Sequence, residues 1–309
     1  MEFTGFKDAD FDAYLEEKWS SNMFNLERLQ VRQKLDKLGQ ELSSDLLSSD
    51  GSLLTQEVST EHPAVWNHRQ VSNQTLFFSR NEHGRRELDT IIAKGRSIAS
   101  LVSDPSPLRN HVFLSVTIDS SKLELSLKLH SGAKVDRENL RSKTKEFFQR
   151  ERLLNLIKGL PPGFRTGVVN GTQLDTTELT DEKLIHLIEE HQNADNWFFV
   201  SHSIERKDPR LTNSEFVQIA RELLTQLLPI MHYISWSRDN DHLSMSDTLR
   251  EKATEKKSKG LAKNDQIRVI RGLFTGKTGV VQEIDAKGGI KVMLGNMMVK
   301  LNGEDVTRG

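Results

Sequence analysis

The spacing of apolar positions changes period along the chain, and each change predicts a different element. Residues 8–49 follow the helical period. Val31, Leu35, Leu38, Leu42 and Leu46 recur at steps of four, three, four and four, a narrow apolar seam on a charged helix. Phe11, Tyr14, Leu15 and Trp19 form a shorter amphipathic piece before a break at Ser20, Ser21 and Asn22. The seam either packs this helical segment (1–58) on the rest of the chain or joins two copies. The second option is a short coiled coil through residues 24–49, because Leu35, Leu38 and Leu42 have a/d-like spacing. Ser43 to Ser59 reads as a loop.

Residues 59–245 mix the two periods. Val71 to Ser79 predicts a strand, and Glu82 to Val102 a helix stopped by the prolines between Asp104 and Pro107. Val112 to Ile118 alternates, Asp119 to Ser121 turns, and Leu123, Leu125, Leu127 and Leu129 alternate back with Glu124, Ser126 and Lys128 toward water. Asp136 is positioned to cap a helix running to about Lys158, ended by the stretch from Gly159 to Gly163. Thr180 opens another helix, with Leu184, Leu187 and Ile188 on its buried face. Asn196 to Ile204 is strand-like, and Thr212 opens a last helix to about Trp236. This order predicts an α+β domain rather than a regular parallel winding. Residues 246–262 are polar and basic and read as a linker.

From residue 263 onward the period is two. Ile267 and Val269 alternate with Gln266 and Arg268; Val280, Gln282 and Ile284 with Val281 and Glu283; Ile290, Val292 and Leu294 with Lys291 and Met293. Corners fall at Gly272 to Gly279, Asp285 to Gly289, and Gly295-Asn296, where residues tolerant of positive φ are concentrated. So short a run of strands buries one face only by curling into a small barrel. The sequence from Gly272 through Leu273, Phe274, Thr275, Gly276, Lys277, Thr278 and Gly279 to Val281, following the strand Gln266 to Ile270, resembles a KOW motif. The likeness is confined to residues 263–309. It implies an SH3-like barrel, as in NusG-type transcription factors and some ribosomal proteins, and a partner in transcription or translation: RNA, RNA polymerase or a ribosomal component. No NusG-type N-terminal domain accompanies it, so the antitermination role is not implied.

Charge agrees with such a partner. The whole chain has a net charge of −1, yet residues 246–309 carry thirteen Lys and Arg against eight Asp and Glu. An anionic partner is therefore expected for the tail and not for the body. Cysteine is absent, which excludes disulfides and thiolate chemistry, and neither a signal-peptide pattern nor a long apolar run occurs. A cytoplasmic protein without cofactor, metal or membrane partner is the expectation. Within the corner, Gly272, Gly276 and Gly279 are expected to shape the loop. Arg268, Arg271 and Lys277 would flank Phe274, which is left at the tip if Leu273 turns inward and otherwise folds back as a lid. Met293, Met297 and Met298 are either an adaptable contact edge or core.

Other motifs fall short. Gly272 to Thr278 has one residue too few for a phosphate-binding loop, and a strand follows where a helix is needed. His186 and His191 are five apart, roughly 140° around a helix, which does not suit a shared metal. Asp239 to His242 lacks the glycine and distal glutamate of a calcium loop and reads as a turn. Asp119, Glu124, Lys128 and His130 could serve a nuclease or other hydrolase in the body, with the barrel as targeting module, if they shared a pocket. A non-enzymatic adaptor is the leading expectation; such an enzyme, or a protein that oligomerises through 24–49, are the alternatives.

Overall fold

The four leucines of the predicted hairpin turn to the same side of their strand and are all fully buried. They occupy the middle of a seven-stranded antiparallel sheet in the order β1-β2-β3-β4-β7-β5-β6. Its strands are β1 (Leu54–Val58), β2 (Asn73–Arg80), β3 (Phe113–Asp119), β4 (Lys122–His130), β5 (Phe164–Val168), β6 (Gln173–Asp175) and β7 (Trp197–Glu205). The helices are α1 (Asp8–Asp12), α2 (Asn25–Leu46), α3 (Lys134–Thr144), α4 (Phe147–Lys158), α5 (Asp181–His191) and α6 (Phe216–Ile234). The computed structural model describes residues 3–46, 54–64, 67–81, 84, 85, 88, 107–192, 195–243, 261–284, 289–302 and 305–308. Most of the helix expected over 82–102, and the linker at 246–260, lie outside them. Two compact units result, Met1–Asn240 and Asp241–Gly309, and the fold is α+β.

In the first unit the helices share one core with a single face of the sheet. Val31, Leu35, Leu38, Leu42 and Leu46 are all at most 1% exposed and belong to that core. The leucine seam thus packs on this chain's own sheet and on α6, which removes the basis for a coiled coil through residues 24–49. The reason is burial: a seam already dry inside one chain has nothing left to offer a second. Residues 1–58 are accordingly part of the body and not a separate segment, and Leu54–Val58, expected as loop, pairs with β2 as an edge strand. Ser21 does break the N-terminal helices, its hydroxyl accepting from the Met23 amide.

The helix expected from Asp136 to Lys158 is two. Glu146 is extended (φ −81°, ψ 126°) between α3 and α4, with no Pro or Gly to announce the break. Asp136 does not cap its own helix; the N-cap is Ala133. Its carboxylate is fully buried and accepts from three other elements: the Arg80 guanidinium (3.0 Å), the Trp236 amide (2.8 Å) and the Val112 amide (2.9 Å). Lys143, two turns further along α3, donates to the Tyr233 carbonyl and Asn240 Oδ1, and the Asn240 amide donates to the carbonyls of His232, Tyr233 and Ser235. These bonds satisfy the orphan carbonyls at the end of α6. Burial, then the charge of Arg152, pulls the Lys143 ammonium down to about 8. Asp239 to His242 is a turn as expected, but its Asn240 faces inward as this cap.

Between α5 and β4 a second buried group matters. His191 donates from Nε2 to the Leu129 carbonyl at 3.0 Å, and burial pulls its pKa down to about 4.

Both buried groups can be tested by substitution. Asp136→Asn turns an N–H toward a donor that needs an acceptor and leaves the Arg80 guanidinium without its counter-charge; it should cost about 3–5 kcal/mol in urea denaturation, and a loss below about 1 would refute the role. For His191 the unfolded chain takes up a proton near pH 6.5 and the folded chain only near 4. Stability therefore falls as pH drops through that window, by up to roughly 3 kcal/mol. His191→Gln, which keeps a donor for Leu129, should flatten this limb of the pH–stability curve.

Candidate partner-binding loop of the C-terminal unit

The second unit is a five-stranded antiparallel sheet in the order β11-β10-β9-β8-β12. Its strands are β8 (Gln266–Val269), β9 (Thr278–Ile284), β10 (Gly289–Leu294), β11 (Met297–Asn302) and β12 (Val306–Arg308). Four consecutive strands form a meander, and the last returns to pair with the first. Ile267, Val269, Val281, Ile290, Val292, Leu294 and Val306 make a core of their own. The alternation holds on β8 and β10. On β9 it does not: Lys291 faces Glu283 while Val292 faces Val281, so Gln282 is an extra residue. This bulge lets Val281 and Ile284 both join the core, where simple alternation had put them on opposite faces. The corner expected at 285–288 lies outside the described residues.

The loop between β8 and β9 is closed at its neck by two bonds, from the Val269 amide to the Lys277 carbonyl (2.9 Å) and from the Gly276 amide to the Val269 carbonyl (2.7 Å). Within it the Thr275 amide and hydroxyl both donate to the Gly272 carbonyl, and the Lys277 amide to the Phe274 carbonyl. The Ile270 amide donates to the Asp305 carbonyl, which ties the loop to the start of β12. Gly272 (φ +89°) and Gly276 (φ +88°) stand in left-handed backbone with open space around them, so they are required by conformation. Gly279 is different: it lies in β9, and a Cβ there would meet Leu294 Cδ2 at 2.5 Å and the Met293 carbonyl at 2.6 Å. It serves close approach of β10 rather than the corner.

At the loop's apex the second of the two expected arrangements is the one found. Leu273 is 99% exposed, whereas Phe274 is half-buried and packs against the core, with Lys277 Nζ 5.9 Å from its ring centre. The lid option therefore holds for Phe274. An aromatic ring gains more from covering that core than a leucine would. Arg271 and Lys277 are exposed at the two sides of the loop. Arg268 is exposed on the outer face of β8, opposite Thr278 and Thr307. Among the described residues none of these three cations forms an ion pair, unlike Lys291 with Glu283 or Arg308 with Asp265. Met297 and Met298 are both 56% exposed on the edge strand β11, outside the core.

In the body the four groups considered for hydrolysis do not converge. Asp119 accepts from the Ser121 amide and hydroxyl and the Lys122 amide as a turn brace. Glu124 is bracketed by Lys128 (2.9 Å) and Lys122 (3.6 Å). Burial alone would push its carboxyl up, but the two ammonium groups outweigh that and hold it below the usual range. His130 pairs with Asp195 at 2.9 Å and accepts from the Gly132 amide. Asp119 closes β3 at the turn and His130 ends β4 at the far end of the hairpin, roughly 25 Å away by strand rise. Ser126, expected toward water, is buried and hydrogen-bonded to Ser115 at 2.9 Å.

Among the described residues no group of three or more His, Cys, Asp and Glu is placed to hold a metal, and no helix is long and apolar enough to cross a membrane. No protein-family model matches the chain, and no curated protein matches it.

Gly279 gives the prediction here. Gly279→Ala should destabilise the C-terminal unit by about 1–3 kcal/mol, since β10 must move to admit the methyl group. Amide exchange of β9 and β10 in the full chain reads this directly, with β3 and β4 of the body unchanged as the internal control.

Proposed function

We propose that the protein is a non-enzymatic, cytoplasmic adaptor whose C-terminal unit is a KOW-like, SH3-type barrel that engages an RNA-containing partner of transcription or translation. The observation that carries this reading is the trio of exposed cations, Arg268, Arg271 and Lys277, none of them in an ion pair among the described residues, held around a loop that its own backbone bonds make rigid. Cations outside ion pairs keep their charge available to phosphates, and a preformed loop loses little entropy on binding. Strand order supports the barrel, since a meander whose last strand returns to the first is one step from closure. Leu273, fully projecting, supplies an apolar contact at the apex, while Phe274 supports the loop from beneath.

Binding of single-stranded RNA to the full chain, measured against salt, tests this. Three phosphate contacts give a slope of about −2 in log K against log salt concentration. The Arg268→Glu, Arg271→Glu, Lys277→Glu variant should abolish both slope and binding, and deletion of 246–309 should do the same. RNA affinity indifferent to the charge reversal would overturn the proposal. Loss of polymerase or ribosome capture without any RNA affinity would mean that the loop meets an acidic protein groove instead.

A further inference from the structure

The body has an aromatic feature that neither core nor loop uses. Phe147 is 57% exposed and Phe148 81%, at the start of α4, with their rings 5.7 Å apart edge to face. Leu153 and Ile157 turn this helix's other side into the core. By helical spacing Phe148 then stands at the centre of the outward face, with Glu151, Arg152 and Asn155 one and two turns on. A shallow hollow of about 430 Å³ opens beside it, lined by Phe148, Glu151, Arg152, Asn155 and Leu156.

One helix face thus presents a projecting ring, a shallow open depression beside it, and adjacent charges of opposite sign. A surface with both halves of each contact is complementary to itself. We propose that α4 is a homodimer interface, packed antiparallel against α4 of a second copy about a twofold axis passing between residues 151 and 152. That register sets Glu151 of one protomer against Arg152 of its partner, twice. It also carries each Phe148 toward the Asn155 and Leu156 end of the opposing helix, into its hollow. Phe147 and Phe148 alone expose roughly 280 Å² of ring surface, about a third of what one partner contributes to a stable interface. The rest of α4's outward face supplies further area. In this register the two Glu151–Arg152 pairs lie nearest the axis, and each Phe148 ring seats about one turn further out, beside them. The inference is independent of the proposed role of the C-terminal loop.

Sedimentation velocity of the full chain across a concentration series decides it. The wild-type chain should dimerise, and Phe148→Asp, at a position open to solvent, should weaken self-association by at least about thirty-fold with unchanged circular dichroism. Glu151→Arg and Arg152→Glu each place like charges together and should weaken it; the double variant should recover wild-type association, a reversal that general destabilisation would not produce. A chain that stays monomeric up to about 100 µM, well above the concentration at which a specific dimer forms, overturns the proposal. So does a dimer indifferent to Phe148→Asp, including one dissociated only by Leu26→Asp in the exposed stripe of Met23, Leu26 and Leu29.

Discussion

A buried charge organises the larger unit. The Asp136 carboxylate has no access to water, and an ion in such surroundings persists only when every lone pair is engaged. Its donors come from the end of β2, the residue before β3 and the residues after α6, while the acid itself belongs to α3. Four segments far apart in the chain therefore have to meet at one point. Arg80 doubles the link by also donating to the Trp236 carbonyl. Two turns on, Lys143 and Asn240 complete the end of α6. With that end fixed, α6 can lie across β3 and β4, and α2 across α6, which is how the leucine seam comes to be buried.

This arrangement explains what the sequence discloses and what it hides. Hydrophobic periodicity reports a face, so the hairpin β3–β4, α5, α6 and the first three strands of the small sheet were legible to within a few residues, whereas β11 and β12 were not. It does not report which surface will cover that face, and the α2 seam could equally have served a coiled coil. α3 was harder still: its buried side carries Asp136, Asn139, Lys143 and Thr144, so a helix central to the core has the composition of a solvent-facing one. Polar burial has no period to find. The short strands β1, β5 and β6 owe their existence to pairing with neighbours, and nothing local marks them.

The loop between β8 and β9 shows the same division. Its position, its glycines and its cations could be read from residue types, because left-handed backbone and exposed charge are local properties. The choice between Leu273 and Phe274 as apex depended on what each would pack against, and the bulge at Gln282 on how β10 lies across β9. Phe147 and Phe148 could not be placed this way: consecutive apolar residues on a helix are both buried at Leu187 and Ile188, and both exposed at Phe147 and Phe148.

Each unit keeps its own hydrophobic cluster, and among the described residues the smaller contains only seven buried apolar side chains. Little buried area means a shallow free-energy well. Heating the whole chain then superposes a minor melting event on a major one, and a single midpoint would describe the body alone. The minor event is the informative one. Any molecule captured by the tail stabilises only that well, so a calorimetric shift confined to it would single out a genuine partner from any mixture of candidates, whatever its chemistry.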